Sequence, residues 1–279
     1  MVVNDQVDKR GDVDGRNRSS LYQEVASISR ESFEIYAEEI GCEYMFSDER
    51  VFTEGHGCAL STLFECLRVV YDPYFDQFDK VLFADADIVV NTKENIFDVS
   101  DAEVYGVLES DIRVSKGGYN AWDYDEKILS DYLEKFEMHD CPIVPSLGVG
   151  KKFDSKLTIM NTGVVVWTKE ARLKARKVFD DWQPWCYPKM LGKDTKVHTM
   201  SITNDQPFIS SQLTKHNFDI ESIDQSWNDT PIHYRGELTH ETAISTGHSK
   251  FLHYTGGSQK TTMVDFFYDD KFPIFQEGW

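Results

Sequence analysis

The chain has 279 residues, of which 41% are hydrophobic and 13% aromatic, enough for one large α/β domain or two small ones with a packed core. Its 29 basic and 48 acidic residues give a formal charge of -19. This charge disfavours binding to nucleic acid or to an anionic membrane, because both require clustered Lys and Arg. A small phosphorylated ligand stays compatible, since a bound metal ion supplies positive charge locally.

The cysteines and the N-terminus bear on the compartment. The five cysteines are scattered and none forms a CxxC pair, which favours free thiols in a reducing compartment over a zinc site or a disulfide framework. No apolar run approaches the roughly 20 residues of a membrane span. The polar N-terminus is unlike a secretory signal. From these features we expect a cytoplasmic protein without a membrane span.

The first part of the chain has a strand–helix–strand pattern. Met1–Asp5 reads as the end of a short strand, and Leu21–Ile40 has apolar residues at helical spacing. Gly41 is a natural stop for that helix, and Cys42–Phe46 reads as the next strand. This order predicts a parallel α/β sheet.

A second helix is predicted from Ala59 to about Tyr71, ending before Pro73. The next apolar run, Lys80–Ala84, is typical of a central strand covered on both faces. Asp85 and Asp87 follow it directly and interrupt an otherwise buried apolar stretch.

Beyond this point the pattern alternates between clear elements and irregular segments, with a loop-rich C-terminal third. We predict a strand at Val104–Leu108, an irregular insertion over 111–152 with a short helix, a turn at Met160–Gly163 feeding a strand at Val164–Trp167, and helices at Ala171–Trp182 and from Asp205 onward.

Two aspartates one residue apart at the end of an apolar strand can both face a hard cation. Mg²⁺ and Mn²⁺ prefer such oxygen ligands and keep positions open for phosphate oxygens. Ligands of open α/β sheets bind beyond the carboxyl ends of the strands, where Asp85 and Asp87 would lie. The alternative is a purely structural role, in which the two aspartates form a polar turn in an acidic chain.

The run Phe78–Asp87 resembles the metal-binding strand of retaining GT-A glycosyltransferases of the glycogenin-like and bacterial galactosyltransferase group (glycosyltransferase family 8-like). Other short segments resemble motifs of that family in the same order along the chain: Asn4-Asp5, Tyr36–Cys42, Arg68, Asn161-Thr162-Gly163-Val164, Asn204-Asp205-Gln206 and His253–Lys260. The resemblance spans nearly the whole chain, although the match by residue is confined to these segments.

The resemblance implies a single GT-A (Rossmann-like) α/β domain over 1–279, with a mostly parallel sheet flanked by helices. Residues 1–110 would form the nucleotide-binding half and 111–279 the sugar- and acceptor-binding half. The implied activity moves a hexose or pentose from a nucleotide diphosphate sugar, UDP-linked by family analogy, to a glycan, a glycoprotein or another hydroxyl acceptor with retention.

Site roles follow from the same resemblance. Asp85, Asp87 and His253 would bind Mn²⁺ or Mg²⁺, and Asp205 and Gln206 would act in catalysis. The donor would be bound by Asn4, Asp5, Arg68, Ala84, Asp85, Asn161, Thr162, Gly163, Gly256, Gly257 and Lys260. Each has an ordinary alternative, such as a helix N-cap for Asp205, a surface turn for Gly256 and Gly257, or a helix-surface Arg for Arg68.

Two other functions compete. Haloacid-dehalogenase-like phosphatases also place Asp-x-Asp after an apolar strand and use the first aspartate as a nucleophile. Their pattern continues to Thr and opens the domain, whereas Ile88–Val90 follows here. A catalytically silent nucleotide-sugar-binding module is the second alternative.

Overall fold

The computed structural model describes residues 18–56, 59–108, 160–183, 205–230, 239–255 and 257–279. The α-helices are α1 (Arg18–Ile40), α2 (Arg68–Tyr71), α3 (Lys169–Val178), α4 (Asp205–Lys215), α5 (His240–Ser245) and α6 (Gly257–Tyr268). The strands are β1 (Lys80–Ala84), β2 (Ile88–Val90), β3 (Val104–Leu108), β4 (Met160–Thr168), β5 (Ile220–Ser222) and β6 (Phe251–His253). Short 3₁₀ helices occupy Ala59–Leu67, Pro73–Gln77, Ile96–Asp98, Gln225–Asn228 and Pro273–Phe275.

The chain forms a mixed α/β structure, but the expected mostly parallel sheet is wrong for the described residues. One sheet has the order β1-β4-β3-β5, in which β4 runs antiparallel to both β1 and β3 and only β3 and β5 are parallel. The second sheet pairs β2 with β6 in antiparallel fashion. The long apolar strand β4 runs opposite to the strands on either side of it. The sequence carries no signal for the orientation of a strand.

The strand β1 lies at the edge of its sheet in the described part of the chain, not at the centre as its apolar sequence predicts. A cavity of about 190 Å³ lies between β1 and the C-terminal part of α1. Cys42–Phe46 lines this cavity in part and forms no strand, so that prediction is wrong. The strand predicted at Met1–Asp5 lies outside the described residues.

The helix α1 confirms the prediction for Leu21–Ile40. Leu21, Val25 and Ile28 are buried, and the helix packs against β2 and α6. Gly41 has a φ of 69°, a left-handed conformation that glycine adopts without steric cost at a helix end. The predicted second helix is a 3₁₀ segment that continues into α2 and ends before Pro73.

Two details of the second half differ from the predictions. The turn expected at Met160–Gly163 is the start of β4, with an irregularity in register opposite Gly106–Leu108. The basic helix α3 ends at Val178, since Phe179 already has extended backbone angles. No helix among the residues described has both the length and the apolarity required to cross a bilayer.

Candidate metal site

Asp85 and Asp87 are held between the two sheets. Asp85 follows β1 directly, and its backbone N–H donates to the carbonyl of Gly163 on β4 at 2.8 Å. The carbonyl of Asp87 accepts from the N–H of Tyr254 at 2.8 Å. β6 pairs with β2 so that His253 lies opposite Ile88, the residue after Asp87. Strand pairing therefore brings His253 to the two aspartates.

The three predicted metal ligands form one cluster. One ligand atom each from Asp85, Asp87 and His253 lie within 4.8 Å of one another. Nε2 of His253 is 3.2 Å from Oδ1 of Asp87 and 3.6 Å from Oδ2 of Asp85. The His253 side chain is 5% exposed, whereas that of Asp85 is 43% exposed, so the cluster is buried on one side and open on the other.

The charged groups of the cluster shift one another's pKa values. Burial and the negative charge of Asp87 raise the pKa of Asp85. Burial works to raise the pKa of Asp87 as well, but the Lys260 ammonium and His253 outweigh it and hold that pKa below its usual range. Burial works to lower the pKa of His253, and the two carboxylates outweigh it, so this pKa is raised. The two adjacent carboxylates therefore create a negative electrostatic potential that favours a bound cation.

These residues fit a divalent cation. Two carboxylates and one imidazole form a donor set that Mn²⁺ accepts. Oδ1 of Asp87 is buried and accepts no well-aligned hydrogen bond within the described structure. This oxygen faces Nε2 of His253 at 3.2 Å, and a buried anionic oxygen needs a positively charged partner, which a cation bound beside His253 would supply. Three protein ligands leave coordination positions for a substrate, as Mg²⁺ and Mn²⁺ sites at phosphates require.

Lys260 adds a fourth charged group to the cluster. It lies on α6, is 5% exposed, and its Nζ donates to Oδ2 of Asp87 and, at 2.8 Å, to the carbonyl of Tyr254. Gly257 begins the same helix. The ammonium group therefore contacts a predicted metal ligand directly, unlike the ammonium group of an ordinary surface lysine.

Asn161 and Gly163 lie beside His253. Oδ1 of Asn161 accepts from the N–H of Gly163 and from Nδ2 of Asn228, both at 2.9 Å. Oδ1 of Asn228 is 2.8 Å from Nδ1 of His253. A Cβ on Gly163 would lie 2.4 Å from Cε1 of His253, so only glycine leaves room for this ring. Sequence reasoning missed Asn228, because a single Asn in a short 3₁₀ helix carries no distinguishing signal.

Asp205 and Thr162 form a neighbouring polar pair. Asp205 begins α4, is 8% exposed and accepts a hydrogen bond from the hydroxyl of Thr162. Burial raises the pKa of Asp205 to about 6, against the lowering effect of the Thr162 hydroxyl. The charge of Asp205 in turn contributes to the raised pKa of Asp85. Gln206 follows in α4 and is half-buried.

The remaining predicted residues are not all brought together. Arg68 pairs with Asp72 at 3.2 Å and donates to Ser47 at 3.1 Å, and neither partner belongs to the metal cluster. Ala84 ends β1, pairs with Val164, and immediately precedes Asp85. Asn4, Asp5 and Gly256 lie outside the described residues, as does the predicted insertion over 111–152.

Comparison with known proteins gives distant similarities. No family model matches the chain, and no curated protein does. Among solved structures, the chain is similar to WbbM, a bifunctional glycosyltransferase, in its apo form, with 13% identity and a TM-score of 0.35 over 76% of this chain and 36% of that one. It is also similar to mouse xyloside xylosyltransferase 1, apo form, with 14% identity and a TM-score of 0.36 over 83% of this chain and 73% of that one. The chain spans little more than a third of the WbbM chain, and at these TM-scores neither similarity assigns a fold or an activity.

Proposed function

We propose that this chain is a metal-dependent glycosyltransferase that moves a hexose or pentose from a nucleotide diphosphate sugar to a hydroxyl group of a glycan or glycoprotein, with retention. The observation that carries the proposal is the convergence of Asp85, Asp87, His253 and Lys260 at one half-open point between two sheets. A UDP-linked donor is favoured by the sequence resemblance described above.

The cluster supplies what a diphosphate leaving group requires. Asp85, Asp87 and His253 would hold Mn²⁺ or Mg²⁺, which when bound offsets negative charge on the diphosphate. Lys260 is already oriented toward the same point by the carbonyl of Tyr254. Its ammonium group stabilises charge that builds on the departing phosphate, which is electrostatic catalysis by a preorganised group.

Asp205 and Gln206 are proposed to act on the sugar. Asp205 is buried, and its negative charge contributes to the raised pKa of Asp85. Asp205 therefore lies near the predicted metal ligands, although it is not part of their cluster. An ionised Asp205 would stabilise positive charge at the anomeric carbon during transfer. The hydroxyl of Thr162 fixes the orientation of its carboxylate. Asn161 and Gly163 are proposed to contact the donor in addition to supporting His253.

The direct test is a panel of nucleotide sugars incubated with the protein and Mn²⁺, with nucleotide release measured with and without glycan extracts. We expect release from one donor, its loss with a chelator and in Asp87→Asn, and no change in Asp269→Asn, whose aspartate is exposed. Phosphate release from monoesters with a phosphoaspartate on Asp85 would instead show the phosphatase. UDP binding without turnover of any donor would show a silent module.

A further inference from the structure

A chain of three hydrogen bonds runs from the backbone of β4 to the ring of His253. The N–H of Gly163 donates to Oδ1 of Asn161, and Nδ2 of Asn228 donates to the same oxygen, both at 2.9 Å. Oδ1 of Asn228 then meets Nδ1 of His253 at 2.8 Å. All three side chains are buried, with Asn228 fully inaccessible, so water cannot replace these contacts.

The polarity of this chain is fixed at its backbone end. A backbone N–H can only donate, so the atom of Asn161 that faces it must be the carbonyl oxygen. The group of Asn228 that faces this oxygen must therefore be the amide nitrogen, because a flipped amide would set two acceptors against each other. The other end of Asn228 is then an oxygen, which can only accept. Nδ1 of His253 must carry a proton.

We propose that Asn228 is a positioning residue that fixes the Nδ1-protonated tautomer of His253 and so makes Nε2 the metal-binding nitrogen. The proposal rests on the metal site of the proposed function. In the neutral ring, a proton on Nδ1 leaves the lone pair on Nε2, the atom 3.2 Å from Asp87 and 3.6 Å from Asp85. The free imidazole of histidine favours the opposite tautomer, so the protein must impose this one.

An amide suits this position better than a carboxylate. Carboxylates commonly orient metal-binding histidines, but Asp85, Asp87 and Asp205 already place three acidic groups near this point. Asn228 must also donate to Asn161, which a carboxylate cannot do. Asn228→Asp should therefore keep the acceptor for Nδ1–H and the tautomer of His253, while it loses the contact with Asn161.

The tautomer is measured by ¹⁵N-histidine NMR of the metal-free protein, at alkaline pH where the ring is neutral. The His253 signals are assigned by their loss in His253→Gln. We expect an Nδ1-protonated ring in the unmodified chain and in Asn228→Asp, and a shift toward the Nε2-protonated ring in Asn228→Leu. The control is Gln212→Leu, which removes a fully buried amide bound to Asp180, outside this cluster. An Nε2-protonated ring in the unmodified chain would overturn the proposal.

Metal affinity gives the second measurement. In Mn²⁺ titrations, Asn228→Leu should bind roughly tenfold to a hundredfold more weakly than the unmodified chain, the usual effect of losing a group that orients a ligand. Asn228→Asp keeps the acceptor for Nδ1–H and should bind Mn²⁺ more tightly than Asn228→Leu, and Gln212→Leu should bind it as tightly as the unmodified chain. Equal affinity in Asn228→Leu would overturn the proposal. If Asn228→Leu fails to fold, the tautomer of the unmodified chain and of Asn228→Asp still decides. Failure of glycosyl transfer would change neither readout, so the two hypotheses fail separately.

Discussion

His253 is paired with Ile88 across β2 and β6, and this single register places the imidazole against the aspartate that precedes Ile88. Asp87 and His253 are far apart in the sequence, so the metal cluster depends on a two-strand sheet formed between distant segments. The hydrogen bond from the N–H of Tyr254 to the carbonyl of Asp87 continues this pairing to the residue that precedes β2. The backbone pairing with β6 therefore fixes the position of Asp87 relative to His253.

Gly163→Ala should weaken Mn²⁺ binding without unfolding the protein. The added Cβ would lie 2.4 Å from Cε1 and 2.8 Å from Nδ1 of His253, so the ring must leave its present position beside the aspartates. A titration should show at least about tenfold weaker binding, as for other losses of ligand orientation. Gly247→Ala is the control, since it strains a left-handed glycine with nothing within 4 Å. Equal affinities in the two variants would contradict the assignment of Gly163.

Lys260→Met should weaken the binding of UDP without weakening the binding of the metal. The ammonium of Lys260 competes with a cation for Asp87, so its removal should leave Mn²⁺ binding as tight as before or tighter. The affinity for UDP in the presence of Mn²⁺ should fall by about tenfold to a hundredfold, the value of one charged hydrogen bond. Calorimetry measures both constants. Lys250→Met, which removes an ammonium paired with Glu94, should change neither. Unchanged UDP affinity in Lys260→Met would refute the role in diphosphate binding.

Asp205→Asn should stabilise the fold at neutral pH and abolish transfer. The pKa of this buried acid rises from 3.8 to about 6 on folding, so the folded state holds a proton that the unfolded state releases. The unmodified chain therefore loses stability relative to the variant as pH rises from 3.8 to 6, by on the order of 3 kcal/mol in total. Denaturant unfolding at pH 4 and pH 7.5 measures the difference. Equal differences at both pH values would show that burial of this charge costs nothing.

Arg172→Leu should destabilise the fold by about 3 kcal/mol or more, because three backbone carbonyls lose a charged donor. The buried guanidinium donates to Trp167 at the end of β4 and to Phe75 and Phe78 in the segment before β1. Thermal and denaturant unfolding give the value. Arg30→Leu, at an exposed position, should leave the melting temperature unchanged. A similar loss in both variants would contradict the account.

The sequence was sufficient to predict several local elements, and the three residues it predicts as metal ligands lie together in the structure. These signals are local in the sequence: the spacing of apolar residues in α1, the glycine that ends this helix, and the apolar run before Asp85. His253 was found through its place in a motif, and the structure brings it to the aspartates as expected.

The direction of the strands and the support of the site could not be predicted. The antiparallel course of β4 depends on its pairing with β1 and β3, which are distant in sequence, and an apolar run looks the same for either strand direction. Asn228 lies in a 3₁₀ segment far from Asn161 and His253 in sequence, and only their contact shows its role. Gly163 resembled a turn residue, whereas its bare Cα accommodates the ring of His253.

An Mn²⁺ titration followed by electron paramagnetic resonance, with and without UDP, decides whether a divalent-metal site in this protein cooperates with a diphosphate. We expect one bound Mn²⁺ per chain, tighter binding when UDP is present, and loss of both effects in Asp87→Asn but not in Asp269→Asn. Binding of Mn²⁺ that is indifferent to UDP and equal in Asp87→Asn would contradict this expectation.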